Sequence, residues 1–212
     1  MTKEVPSDVM KLLTMHRKSF YDAIEVANKT AHPVPSDTRA WSQILVSLLT
    51  GINGIARKKG ADLADGSDVK AANLWQAIDT PRFNGCIKSG RKGDMGNIEG
   101  LNEMPHLFFV MWDKEPEKQC DRCRVWFVRP RKDAMFRAMC KKWYDMRDER
   151  SIRSDNFQLH PPRNANTNVF RNKCGNLEYP LLFAAEYVSG GYKVVSYNPS
   201  SLSSGTCKSA EE

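Results

Sequence analysis

Three carboxylates and one lysine lie close together in the first third of the chain, and their types suit one kind of chemistry. Asp62, Asp65 and Asp68 are three residues apart, and Lys70 follows two residues later. Converging carboxylates form an oxygen-rich site for a divalent cation such as Mg²⁺. A lysine beside them can orient or deprotonate an attacking water, or neutralise the charge of a phosphate. The stretch therefore predicts metal-assisted hydrolysis of a phosphodiester.

The segment that carries these residues is predicted to be a hairpin. Its two short strands are expected at residues 61–63 and 67–71, around a turn at 64–66 with an Asp-Gly pair. Because side chains alternate along a strand, Asp68 and Lys70 should share one face while Val69 enters the core. Asp62 would lie opposite Asp68. Asp65 could serve the turn or the metal, and a surface hairpin with incidental charges is the alternative reading.

The elements around the hairpin predict an α/β or α+β domain with a mixed central sheet flanked by helices. Helical spacing of apolar residues predicts helices at 7–30, through 41–49 and at 132–147. Strands are expected at 106–112 and 124–128, and a hairpin at 179–187 and 192–197. One domain over residues 1–199 would result, with a disordered tail at 200–212.

Composition narrows the class of protein. With 212 residues, 41% of them hydrophobic, the chain can bury the core of one domain. Its formal net charge of +7 favours an anionic partner, although an ordinary basic protein has the same balance. The sequence has no apolar run of about 18 residues and no secretory signal pattern. We therefore expect a cytoplasmic protein without a membrane span.

Cysteine spacing suggests a second metal. Six cysteines without an export signal are expected to be free thiols or metal ligands. Cys120 and Cys123 have the two-residue gap that lets both thiolates reach one Zn²⁺. Cys174 precedes a glycine, as in a zinc-knuckle turn, and His160 would be the fourth ligand in preference to Cys140, which falls on an apolar helix face. The prediction is a structural zinc site stabilising residues 118–176, with free thiols as the alternative.

Polar side chains at three places suit contacts with DNA. Arginine matches the edge of guanine, and asparagine or glutamine matches that of adenine. The candidates are Gln158, His160, Arg163 and Asn164 in an Asn-rich segment, Arg91 and Lys92 in a glycine-rich loop, and Arg82 and Asn84 after the acidic hairpin. The alternatives are turn-building asparagines and a solvated basic loop.

The acidic stretch resembles the Asp-(x)n-(Asp/Glu)-x-Lys signature of the PD-(D/E)xK nucleases, with Asp62, Asp68 and Lys70 in its three places. It departs from that signature in having Ala61 in place of proline and a short gap between the first two acids. From about residue 37 to 187, the sequence is similar to the MamI family of type II restriction endonucleases. The similar segments are 65–73 (DGSDVKAAN), 78–84 (IDTPRFN), 155–163 (DNFQLHPPR) and 172–177 (NKCGNL).

This resemblance implies a restriction-endonuclease-like core and a homodimer that cuts both strands of a palindromic DNA site. Asp62 and Asp68 would hold Mg²⁺, Lys70 would assist the water, and the product would carry a 5′-phosphate. A cognate DNA methyltransferase and a bacterial or archaeal cytoplasm are implied as well. An acid on the helix before the hairpin sometimes joins the metal in this superfamily. Glu25 would be that acid here, unless it is simply a solvated helix residue.

Two other functions stay open from the sequence. One is a zinc-stabilised, non-catalytic DNA-binding module in which the acidic hairpin has no role. The other is a repair or junction nuclease on the same core, which would recognise the shape of DNA and not its sequence.

Overall fold

Two neighbouring, almost fully buried strands form the centre of the structure. It is a computed structural model that describes residues 4–56, 60–77, 79–89, 96–163 and 165–210. The two strands are β2 (Leu107–Lys114) and β3 (Asp121–Val128). Every residue of β3 is buried, and in β2 the last residue alone is exposed. Strands buried on both faces need a packing layer on each side.

Three further strands complete a five-stranded mixed sheet. They are β1 (Asp68–Asn73), β6 (Leu181–Val188) and β7 (Gly191–Tyr197), and the spatial order is β1-β2-β3-β6-β7. β1 runs parallel to β2, whereas the other neighbours are antiparallel. Ser189 (φ 54°) and Gly190 (φ 86°) turn the chain between β6 and β7 with the positive φ angles that tight hairpins favour. The predicted mixed sheet and C-terminal hairpin are confirmed.

Helices supply the two packing layers. They are α1 (Ser7–Lys29), α2 (Arg39–Thr50) and α3 (Ala134–Asp148). Alternate β2 residues point to opposite sides, so Phe108 and Val110 share a buried cluster with α1 and α2, while Phe109 and Met111 share one with α3. Asp133 caps α3, because its carboxylate accepts the backbone N–H of Phe136 at 2.9 Å. In the part of the chain that the structure describes, no helix is long and apolar enough to cross a bilayer.

Residues 200–210 belong to the fold, contrary to the disordered tail that the sequence predicts. A second sheet contains β4 (Val169–Asn172), β5 (Gly175–Glu178) and β8 (Lys208–Ser209), and α4 (Ser201–Ser204) precedes β8. Cys207 is buried, and its backbone N–H donates to the Asp133 carboxylate at 2.6 Å. The buried Cys207 and the pairing of β8 with β5 hold this serine-rich segment in place. The sequence gives no sign of this, because the segment lacks apolar periodicity. A 3₁₀ helix (Ile98–Glu103) lies in the glycine-rich region before β2.

Candidate active site

Strand β1 holds Asp68 and Lys70 on one face, as the alternation of side chains predicts. The Lys70 Nζ atom lies 2.6 Å from Asp68 Oδ2, and both side chains are largely buried. Val69, between them, is buried in the cluster under α1 and α2. The apolar side chain thus anchors the strand, and the charged pair is left at the surface of a cleft.

Asp62 reaches this pair from a tight loop and not from a strand. Its backbone N–H and that of Leu63 both donate to the Ser67 carbonyl, at 3.1 and 3.0 Å. Residues 61–63 make a single bridge, from Leu63 to Gly54, so the predicted two-strand hairpin is wrong. The loop is too short for a ladder because Gly66 (φ 94°) reverses the chain at once.

Asp65 serves the turn. Its two carboxylate oxygens accept the backbone N–H and the hydroxyl of Ser67, each at 2.9 Å. A carboxylate that satisfies its own loop in this way fixes the loop that carries Asp62. Asp65 therefore has a local structural role.

Asp62 and Asp68 lie close enough to share a hydrogen bond. Burial, followed by the hydrogen bond and charge of Asp68, raises the pKa of Asp62 to about 7. Burial acts to raise the pKa of Asp68 too, but the hydrogen bond from Asp62 and the ammonium of Lys70 outweigh it and hold that pKa below its usual value. Of the two neighbouring carboxyl groups, Asp62 is therefore the one that is protonated first as the pH falls.

Gln43 is a site residue that the sequence analysis missed. It projects from α2, and its Nε2 donates to Asp62 Oδ1 at 2.6 Å, while Asp62 Oδ2 accepts the Val69 N–H at 2.9 Å. Both oxygens of Asp62 are therefore fixed in orientation. Gln43 was not predicted because the family resemblance leads one to expect an acidic residue on the helix, and Gln43 carries an amide. Glu25, the acid considered, lies on α1 with its side chain 75% exposed and pairs with Lys29.

A cavity of about 850 Å³ opens over these residues. Arg82 and Asn84 line it together with Asp62, Asp68 and Lys70, so two of the predicted DNA contacts lie beside the acidic group. A neighbouring cavity of about 770 Å³ also reaches Asp68, and Asn156 lines it. Asp68 therefore lies where the two cavities meet.

The segment around Asn84 is tied to the segment around Gln158. Phe83 and Leu159, both fully buried, exchange backbone hydrogen bonds of 2.9 and 3.0 Å. Their neighbours Asn84 and Gln158 then meet, with Gln158 Nε2 donating to Asn84 Oδ1 at 3.0 Å.

The other predicted DNA contacts lie in different surroundings. His160 exchanges backbone hydrogen bonds with Arg171, and burial, followed by the charges of Arg171 and Arg82, lowers its pKa. Arg163 is exposed on the following loop. The candidates Arg91, Lys92 and Asn164 lie outside the described residues.

The predicted zinc site is wrong. Cys123 is buried among the residues under α1 and α2, whereas Cys174 is buried in the cluster on the opposite side of the sheet. Cys120 lies just before β3 and Cys123 lies within it, so the backbone at Cys123 is extended and does not form the tight turn of a Cys-x-x-Cys zinc site. Burial raises the pKa of Cys120, Cys123 and Cys174, which favours thiols over thiolates. Among the described residues no three His, Cys, Asp or Glu side chains are grouped to hold a metal.

A buried ionic network holds the loop after His160 instead. Asp113, with no exposed surface, pairs with Arg122 and Arg124 at 2.7 Å each. Arg124 also donates to the carbonyls of Pro162 and Thr167, at 3.0 and 3.2 Å. These bonds satisfy backbone groups of a loop that carries the exposed Arg163.

Comparison with known proteins shows the family to which the chain belongs. A family model described as MamI restriction endonuclease matches residues 25–189, a range that holds α2, the acidic loop and strands β1 to β6. The chain belongs to the MamI restriction endonuclease family. The range matched in this family includes Gln43, Asp62, Asp68 and Lys70, and it also contains the segments of Asn84 and Gln158.

A curated relative supports the same assignment. The chain is 31% identical over 162 residues to the type II restriction enzyme MamI of Microbacterium ammoniaphilum. The alignment covers 71% of this chain and 51% of the relative, so the chain spans about half of that protein's length. No solved structure matches the chain.

Proposed function

We propose that this protein is a type II restriction endonuclease, which hydrolyses phosphodiester bonds in both strands of DNA at a specific site. The observation that carries the proposal is the grouping of Asp62, Asp68 and Lys70 at one cavity, inside the segment that matches the MamI family. The name of the curated relative, a type II restriction enzyme, supports the reaction.

The donor set suits Mg²⁺ as the metal of this reaction. Mg²⁺ prefers oxygen ligands and is commonly held by one or two carboxylates together with substrate phosphates. Asp62 and Asp68 supply two carboxylates near enough to share a hydrogen bond, and a cation relieves the repulsion between them when both are ionised. We propose these two residues as its ligands. When bound, Mg²⁺ supplies Lewis-acid activation of the phosphate and of water.

The remaining chemistry is assigned to Lys70 and to an attacking water. Lys70 is oriented by its 2.6 Å contact with Asp68, so its Nζ can donate to the water or to a phosphate oxygen in the cavity. The water oxygen forms a bond to phosphorus as the bond to the 3′ oxygen breaks. A water proton leaves, the 3′ oxygen gains a proton, and the products are a 5′-phosphate and a 3′-hydroxyl.

The proposal extends to partners. One acidic group cuts one strand, so cleavage of both strands at a palindromic site calls for a symmetric pair of chains. We therefore propose a homodimer. We also propose a cognate DNA methyltransferase that protects the same site, and a bacterial cytoplasm as the setting.

The test is cleavage of fully sequenced plasmid DNA in Mg²⁺, followed by mapping of the ends. We expect Asp68→Asn and Lys70→Ala to abolish cleavage while DNA binding in Ca²⁺ survives. Asp22→Asn is the matched control, since Asp22 forms an exposed 2.5 Å pair with Lys18 on α1 and is not among the residues that line the cavity. Ends at one repeated sequence support a restriction enzyme. If only nicked or branched DNA is cut, the protein is a structure-specific nuclease. Wild-type protein that leaves every substrate intact would contradict both nuclease functions.

A further inference from the structure

Three side-chain amides beside the candidate active site form one hydrogen-bonded unit, here called the amide cluster: Asn84, Asn156 and Gln158. Asn84 Oδ1 accepts hydrogen bonds from Asn156 Nδ2 and from Gln158 Nε2, each at 3.0 Å. Asn156 Oδ1 accepts the backbone N–H of Gly85 at 2.6 Å. The cluster therefore has a defined direction, with the oxygen of Asn84 facing its two neighbours.

That direction decides which polar atoms remain available. Asn156 uses both ends of its amide, because its Nδ2 donates to Asn84 and its Oδ1 accepts the backbone N–H of Gly85. Asn84 uses only its oxygen, so its Nδ2 faces away from the cluster with both hydrogens unused by the described residues. Gln158 keeps its Oε1 and one N–H, again with no partner in the described ranges. The cluster thus presents a donor from Asn84 beside an acceptor and a donor from Gln158.

Buried backbone holds this arrangement rigid. The paired residues Phe83 and Leu159 have no exposed surface, and the ring of Phe83 stacks on Phe170 with centroids 5.8 Å apart. Asn172 Nδ2 donates to the Gln158 carbonyl at 2.6 Å, which fixes the other side of the segment. Groups held in place before binding lose little conformational entropy when a ligand arrives.

The cluster also stands at the place where DNA would enter. Asn84 lines the cavity of Asp62, Asp68 and Lys70, and Asn156 lines the cavity that meets it at Asp68. A strand with its phosphate at Asp68 would therefore bring a neighbouring nucleotide to the amide cluster. Arg82, exposed beside Asn84, suits contact with the phosphates of that strand.

We propose that the amide cluster reads the major-groove edge of a purine, an inference that rests on the proposed function. Asn84 Nδ2 would donate to purine N7, which adenine and guanine share. Gln158 would complete the contact, with Oε1 accepting from N6 of adenine or with its second N–H donating to O6 of guanine. Asn156 is a positioning residue, because it orients Asn84 through Gly85.

Selection from a random pool of double-stranded DNA in Ca²⁺ tests the proposal without cleavage. We expect wild-type protein to enrich a sequence with a purine at one position, and Asn84→Leu and Gln158→Leu to lose that preference by roughly 5- to 150-fold. Preferences at the other positions and the melting temperature should stay as in wild type. Asn28→Leu, which changes an exposed amide on α1, should enrich the wild-type sequence unchanged.

Base analogues then separate the two purines. The enriched sequence is made with 7-deazaadenine or 7-deazaguanine at the selected position, which removes the N7 acceptor. Wild-type binding should weaken with the analogue of the base that is read, whereas Asn84→Leu should bind both forms equally. If the cluster variants enrich the wild-type sequence and the base preference weakens evenly at every position, the amide cluster does not read a base. The proposed site-specific function would still stand. Wild-type protein that enriches no sequence would overturn the site-specific function and this inference together.

Discussion

Gln43 on α2 donates its side-chain amide to Asp62 Oδ1 across 2.6 Å and so ties a helix to the acidic loop. The other oxygen of Asp62 is held by the Val69 N–H on β1. A proposed metal ligand is thus oriented by two elements that are distant in the sequence.

We expect Gln43→Leu to lower Mg²⁺-dependent cleavage by roughly 10- to 100-fold, the usual cost of losing a group that orients a metal ligand. Single-turnover cleavage measured across a Mg²⁺ titration checks this, and the loss should be partly recovered at high Mg²⁺. DNA binding in Ca²⁺ should change little. A Gln43→Leu protein with wild-type cleavage at every Mg²⁺ concentration would remove Gln43 from the site.

Stability should fall in mild acid because of His16. This side chain is 3% exposed and packs among Trp41, Trp75 and Trp112, and burial lowers its pKa to about 4. In the unfolded chain the His16 imidazole binds a proton near pH 6.5, whereas in the folded chain it stays neutral down to about pH 4. The folded state therefore has its full stability above pH 6.5 and loses stability as the pH falls towards 4. The contribution of His16 should fall by about 2 kcal/mol between pH 7 and pH 5.

Urea unfolding of wild type and His16→Phe at the two pH values measures this contribution. The free energy of unfolding of the variant should vary less with pH, because phenylalanine keeps the aromatic packing without a titrating group. Equal pH dependence in the two proteins would show that His16 does not carry the effect.

The two buried salt bridges of Asp113 should contribute strongly to the free energy of unfolding. Asp113→Asn leaves Arg122 and Arg124 without a counter-charge in the interior, and breaking such a network typically costs about 3–5 kcal/mol. Asp145→Asn is the matched control, since its exposed 2.6 Å pair with Lys141 should contribute less than about 1 kcal/mol. Urea unfolding compares the two. Hydrogen exchange should also rise in the residues next to Pro162 and Thr167, whose carbonyls accept hydrogen bonds from Arg124. Equal stability of both variants would contradict this account.

Treatment with a metal chelator should leave the fold unchanged. Two of the predicted zinc ligands, Cys123 and Cys174, lie on opposite sides of the sheet, so we expect metal analysis of the purified protein to find no stoichiometric zinc. A chelator should stop cleavage by removing Mg²⁺ and leave the melting temperature within about 1 °C. A chelator-induced drop in melting temperature that added zinc restores would show a structural zinc that this geometry does not explain.

The orientation of Asp68, Val69 and Lys70 could be predicted from side-chain alternation, because that alternation depends only on neighbouring residues of the same strand. The partner of β1 was not predictable in the same way. This strand pairs in parallel with β2, in which Leu107 stands opposite Asp68, so the partner strand lies far along the chain. Gln43 was missed because its role depends on where α2 packs. The Cys120–Cys123 spacing misled because it suits a zinc site only in a turn, and here the second cysteine lies in an extended strand.

The register of β1 against β2 has a consequence for the behaviour of misfolded chains. Asp68, Val69 and Lys70 stand opposite Leu107, Phe108 and Phe109. A slip of one residue would exchange the two faces of β1, since the side-chain period is two. Val69 would then face the cleft, and two charges would enter the core. A chain folded out of register would thus lose the proposed catalytic pair altogether, because Asp68 and Lys70 would no longer face the cleft.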